Sequence, residues 1–476
     1  MVSFIISACG GADATAGNGS SEASVSLRSL SAPFTNETGE VSFGYKISGL
    51  YLDVYTHGAH SPNVRLNILN QIRNGDSEVI IDGLEAGREY TFSVAAYGVK
   101  NLMLCSGSDT AVIAENTDTE INLTCRFDNE TTLQAAVYEI ADFFVSDNDK
   151  TAAEIEAFIA DNDTFGIENG LDREEFIQDV LDDDEELIPA PVEDVEIVSV
   201  QPAANGKMLT IKIKYEDGSY ELHTLRAVKQ NGIWKYAGNN MLYELEIAPR
   251  TVKAYYPDNH TETYSGLHAD VYDMAGGIDY ITVTGPLLPA AGTKMIRNTY
   301  GGDAFIFQAA DNGTAGGGLR LFDKSVYPFE NDNITAVADN STYTFKAYNA
   351  NNMLLETRTL TLPVRPFTPA EATDGYFLRP TTEISSVVTD YKTADFSAVM
   401  AKPSAMHPVF MRATFEASDG YMLHDFFEKA LPVNTAQHNL TFATSGMTFT
   451  PLHGSFSSKA VFANGRETLY VKEMSH

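Results

Sequence analysis

Val79-Ile80-Ile81-Asp82-Gly83-Leu84-Glu85-Ala86-Gly87-Arg88-Glu89-Tyr90-Thr91-Phe92-Ser93-Val94-Ala95-Ala96-Tyr97 reads as two strands joined by a short corner. After the corner, Tyr90, Phe92, Val94 and Ala96 alternate with smaller or polar neighbours. A period of two puts one face of a strand against a core and leaves the other outside. Gly83 and Gly87 punctuate the run at the places where a strand must end or bend. The same alternation recurs in Val41-Ser42-Phe43-Gly44-Tyr45-Lys46-Ile47 and in Val64-Arg65-Leu66-Asn67-Ile68. Residues 25–127 are therefore expected to form a β-sandwich without a helix.

Leu84, Gly87 and Tyr90 stand where a Leu, a Gly and a Tyr mark the corner between the fifth and sixth strands of fibronectin type III domains, and the stretch resembles that corner. The resemblance implies a two-sheet sandwich in which the Tyr90 hydroxyl staples the loop to the strand.

Beyond residue 128 the period changes. Leu133, Ala136, Val137, Ile140 and Phe144 fall on one face of a helix over 132–144, and further helices are expected over 151–160 and 171–181. Carboxylates are unfavourable at a helix C-terminus, so Asp182-Asp183-Asp184-Glu185-Glu186 should stop the third helix. Strands follow over 195–200, 208–215 and 219–228. Asn231-Gly232 has the residues of a type I′ turn into Ile233-Trp234-Lys235-Tyr236-Ala237-Gly238-Asn239. Helices followed by an antiparallel meander that closes on this strand are similar to the cone-shaped nuclear transport factor two-like fold. That resemblance, over 128–244, implies a concave sheet that can form a pocket lined by some of Tyr215, Tyr220, His223, Trp234 and Tyr236, with Trp234 open to a core role instead.

From about residue 245 strand signals return in two blocks, 245–365 and 366–476. Pro363, Pro366 and Pro369 read as a stiff linker between them. The expected architecture is multidomain and mainly β: tandem β-sandwich modules, with one α+β cone-like domain inserted between them, strung into a rod.

At the front of the chain, Ile6-Ser7-Ala8-Cys9 is similar to the lipobox of bacterial lipoproteins, which implies a lipid on Cys9 and an anchor in the bacterial outer membrane or on the cell surface. Gly10-Gly11-Ala12-Asp13-Ala14-Thr15-Ala16-Gly17-Asn18-Gly19 cannot build a core and suits a tether, so 1–24 reads as leader and tether. Three cysteines occur in the chain. With Cys9 lipidated, Cys105 and Cys125 remain, open to a disulfide or to two separate buried thiols; export permits the bond.

The 476 residues carry 32 Lys and Arg against 65 Asp and Glu, a net charge of −33 that repels phosphate backbones, so nucleic acid is not an expected partner. No Gly-x-Ser-x-Gly elbow, His-Glu-x-x-His helix or phosphate-binding loop is present. Thr314-Ala315-Gly316-Gly317-Gly318-Leu319 lacks the Lys and the helix that a phosphate loop needs. His57-Gly58-Ala59-His60 has no third ligand close in sequence. The pair His424 and Glu428, four apart, would meet on a helix over 421–430. Asp147-Asn148-Asp149, Asp161-Asn162-Asp163 and Asp172 fail the EF-hand spacing around Gly170, which leaves weak calcium collection and no other metal or cofactor. The expectation is a non-enzymatic surface lipoprotein for binding, adhesion or envelope structure, with a protein or glycan as partner. A small-ligand or carbohydrate pocket in the cone domain is the alternative, and an enzyme in that pocket a remoter one.

Overall fold

The computed structural model describes residues 5–6, 20–26, 46–74, 76, 78–115, 119–145, 150–182, 190–258, 260–297, 305–307, 331–381, 396–418, 423–442 and 453–475. The chain is mainly β and multidomain, with six separate sheets among the described residues. Two compact units emerge: Met1–Phe144 with Lys229–Lys235, and Val145–Val228 with Tyr236–His476.

The first unit holds two sheets and, against the expectation of a sandwich without a helix, the short helix Leu69–Asn74, which buries Leu69 and Ile72. One sheet has the order Ile5–Ile6, Glu78–Glu85, Ser20–Ser26, Thr119–Asn122; the other runs Val64–Asn67, Gly49–Thr56, Glu89–Tyr97, Met103–Val112, Arg126–Phe127. Residues 79–97 therefore cross from one sheet to the other at the corner. Gly87, at φ +75°, makes the bend there, and its N–H donates to the Ile113 carbonyl. Tyr90 lies buried beneath the corner, and its Oη accepts the Glu85 N–H at 3.0 Å. Tyr90, Phe92, Val94 and Ala96 all face inward, as their alternation requires.

Cys105 and Cys125 are bonded as a disulfide, with Cα atoms 5.4 Å apart, and both are buried. The helix Asn129–Val145 buries Leu133, Ala136, Val137 and Ile140, the stripe the sequence pattern marks. Asp128 caps it, accepting the N–H groups of Glu130 and Thr131. One turn of its buried side is polar: Glu139 accepts the Lys46 N–H at 2.8 Å.

In the second unit the helices are Ala152–Phe158, Asn162–Phe165 and Arg173–Asp182. Thr151 and Glu154 form a reciprocal capping box on the first. Asp172 caps the last through the N–H groups of Glu174 and Glu175. The next sheet has the order Val192–Ala203, Gly206–Tyr215, Tyr220–Gln230, Ile233–Tyr236, in the sequence the meander pattern predicts. Asn231 and Gly232 both have positive φ, 51° and 84°, as a type I′ turn demands.

The remainder differs from two successive modules. A six-stranded sheet has the order Thr261–Tyr272, Glu244–Tyr255, Glu467–Ser475, His453–Phe462, Pro408–Ser418, Leu423–Ala430, and so takes strands from both expected blocks. Glu244–Tyr255 and Glu467–Ser475 are parallel neighbours, Arg250 opposite Glu467 and Tyr255 opposite Lys472. Between them in sequence lie a five-stranded sheet, from Tyr280–Thr284 to Leu354–Leu362, and a three-stranded one that includes Phe396–Ala401 and Gln437–Phe442. The Pro-rich segment is no free linker. Phe367 enters the core with Phe377, Leu378, Met411, Phe456 and Phe462. The segment lies across buried hydroxyls of the sheet: Thr251 donates to the Phe367 carbonyl, Thr468 to that of Tyr376 and Ser458 to that of Leu378.

Residues 423–430 form a strand and not the expected helix, because they pair in alternating register with Arg412–Ser418. Glu428 accordingly meets Arg412, at 2.5 Å. No helix of the described residues is long and apolar enough to cross a membrane. Cys9, the Thr314–Leu319 run and Asp147–Asp149 lie outside the described residues.

Candidate functional site

The strand register places the residues expected to line a pocket. Tyr215 is buried at the end of Gly206–Tyr215, and its Oη donates to Glu221 Oε2 at 3.2 Å. Burial, then the charge of Glu221, pushes the Tyr215 phenol well above its usual range. The half-exposed His223 places Nε2 3.1 Å from the same Glu221 oxygen. Ile213 stands opposite Glu221 and Ile211 opposite His223, so Tyr215, Glu221 and His223 share one face. Tyr220 stands opposite Lys214, on the other face, with Lys212 Nζ 3.7 Å over its ring.

Trp234 is buried within the first unit, where Lys229 Nζ lies 5.8 Å from its ring and donates to Asn129 Oδ1 at 2.7 Å. Tyr236 belongs to the second unit and packs against Phe165 and Phe176, ring centroids 6.1 and 5.6 Å away. Tyr215 and Tyr220 thus lie on opposite faces of their sheet, and Tyr236 packs in an aromatic cluster with Phe165 and Phe176. Tyr215 and His223 are brought together, and the residue that joins them is Glu221.

A second polar centre surrounds Tyr236. Its hydroxyl bonds Glu168, whose carboxylate also accepts the Asn239 N–H at 2.6 Å and Asn239 Nδ2 at 2.9 Å. Asn239 in turn bonds Asn169 through both ends of its amide. Burial pushes the Glu168 carboxyl up to about 7, against the hydrogen bonds from Tyr236 and Asn239 that favour its charged form. Burial, then the charge of Glu168, lifts the Tyr236 phenol in turn.

Next to it, the buried Arg226 donates to five carbonyls, those of Thr164, Phe165, Ala204, Ala237 and Gly238. Gly238, at φ +71°, brings its backbone so close to Ile167 that a Cβ would stand 2.4 Å from that carbonyl oxygen. These hydrogen bonds tie the 164–170 and 237–241 loops together. Glu168 and Glu221 were missed because each reads as one more acid in an acidic chain. The signal within reach was Asn169-Gly170, two residues with positive φ beside Glu168.

His57 pairs with Glu89, at 3.2 Å. Among the described residues no group of three or more His, Cys, Asp or Glu side chains is arranged to hold a metal ion.

No protein-family model and no curated protein matches the chain. Solved structures similar to it include one described as giving insight into host cell surface retention of a 1.5-MDa bacterial ice-binding adhesin, at 9% identity over 58% of this chain and 74% of that one, TM-score 0.16. A tetra-tandem repeat from the extending region of a large adhesion protein gives 8% identity over 96% and 99%, TM-score 0.16. A protocadherin gammaB7 EC3-6 cis-dimer gives 10% over 90% and 94%, TM-score 0.13. Superpositions this loose carry no argument about what the chain is or does.

Proposed function

We propose that the protein is a non-enzymatic, extracytoplasmic lipoprotein that acts in binding, adhesion or envelope structure, held in a bacterial membrane by lipid on Cys9. The observation that carries this reading is the buried Cys105–Cys125 disulfide, a bond that persists in oxidising compartments. Support for a fibronectin type III-like first module comes from the tyrosine-corner hydrogen bond and the passage of 79–97 between two sheets. Support for a cone-like region over 128–244 is limited to the order of its helices and strands. A protein or glycan at the cell surface is the proposed partner.

Globomycin treatment and Cys9→Ala test the anchor. Cys9→Ala is expected to abolish lipid incorporation and release the protein from the membrane fraction, and globomycin, which blocks leader cleavage after the lipid is attached, to leave an uncleaved precursor there; unchanged fractionation of Cys9→Ala, or unchanged processing under globomycin, would remove the lipid from the reading. Loss of surface attachment in cells that lack the protein, restored by the full chain, tests adhesion.

A second reading, a small-ligand or carbohydrate protein, has one observation behind it. Glu221 bridges a buried tyrosine and a half-exposed histidine, an arrangement suited to a hydroxyl-bearing ligand at the sheet margin. A glycan array with the full chain, repeated with His223→Ala, tests it; no bound glycan that the substitution weakens would set this reading aside.

A further inference from the structure

We infer that the parallel pair Glu244–Tyr255 and Glu467–Ser475 is a mechanical clamp that bears tension on the second unit. Six residue pairs, from Arg250–Glu467 to Tyr255–Lys472, join these strands side by side. Tension that enters at the start of the first strand and leaves at the end of the second pulls parallel neighbours past each other. Every backbone hydrogen bond between them is then loaded at once, whereas an antiparallel hairpin pulled from its open end yields bond by bond.

Side chains reinforce the pair on both faces. On one, Arg250 Nε and Nη2 grip Glu467 Oε2 at 2.7 and 2.6 Å, with both side chains almost fully buried. Lys459, from the next strand, reaches the other Glu467 oxygen at 3.6 Å. On the opposite face Thr251 stands beside Thr468, and their hydroxyls are tied to the 367–376 segment. The five-stranded and three-stranded sheets lie in the loop that this pair closes, so they carry no tension while it holds. The clamp rests on the surface-adhesion reading only for the origin of the force.

Single-molecule stretching of the full chain, with Cys9→Ala, tests the clamp. One handle sits on Glu244→Cys and the other on a tag after His476; this shear geometry should give a rupture peak several times higher than handles on Ser455→Cys and the same tag, which peel the last strand from its end. Release of the 244–475 span, roughly 76–83 nm at 3.3–3.6 Å per residue, should follow that peak and not precede it. Glu467→Gln should lower the shear peak more than the peeling force. Equal peaks in the two geometries, or lengthening before the shear peak, would overturn the clamp. Neither arm involves the lipid or a ligand, so the clamp and the anchoring proposal fail separately.

Discussion

Three carboxyls withdrawn from water give the protein opposite responses to pH. Burial raises Glu168 to about 7 and Glu139 to about 6, both above the ordinary 4.5. The folded state therefore holds protons that the unfolded chain has released, and the stability these groups confer is full below about 4.5 and is lost as pH rises through 6 to 7. Glu467 runs the other way. Burial opposes its charge, but Arg250 and Lys459 beside it hold the carboxyl at about 2, so its contribution is present above 4.5 and lost as pH falls toward 2. Unfolding midpoints should accordingly be highest near pH 5 and fall toward pH 8. Glu168→Gln should flatten that fall by at most about 3 kcal/mol, the linkage value of a shift this size. A wild-type midpoint that rises from pH 5 to 8 would contradict the assignment. Glu467→Ala is the harsher change: it strands the buried Arg250 guanidinium, and a loss of about 3–5 kcal/mol in the second unit is expected by chemical denaturation.

At the scale of single elements, local signals in the sequence were reliable wherever a feature is closed locally. The alternation after Tyr90, the helix stripe from Leu133 to Ile140, and Asn231-Gly232 were all legible because their causes lie within a few residues. The strand 423–430 was not. His424 and Glu428 fit a helical spacing as well as a strand, and only pairing with 412–418 decides between them. Which of the candidate pocket residues share a face was hidden for a related reason: Tyr215 and Tyr220 are close in sequence, but the hairpin register turns them to opposite faces.

Two tests belong to the first unit's corner and disulfide. Tyr90→Phe leaves the Glu85 N–H without its acceptor and should lower stability by about 1–3 kcal/mol, read by denaturant titration. Reduction of Cys105–Cys125 opens a loop that spans 20 residues and should remove about 3 kcal/mol. A unit equally stable with dithiothreitol would show the bond to be dispensable.

For the whole molecule, the largest misreading was of connectivity. Prolines in a row read as a boundary, yet the strands on either side of it share one sheet, with Arg250 and Glu467 joined across 217 residues of sequence. No local pattern reports a partner so distant, since strand alternation marks a buried face and not the strand that lies beside it. A stop codon after Arg466 should split the six-stranded sheet into the pair 244–272 and the remainder. Hydrogen exchange is the measurement, with amide protection expected to disappear from both halves; protection that survives in the truncated chain would mean that they fold apart.

That distance also sets a clock on biogenesis. A chain made from its N-terminus onward exposes the Glu244–Tyr255 edge long before Glu467–Ser475 arrives to cover it. Through that interval an unpaired strand faces the outside, ready to join any other extended chain it meets. The six-stranded sheet of the second unit is thus complete only once Glu467–Ser475 has arrived.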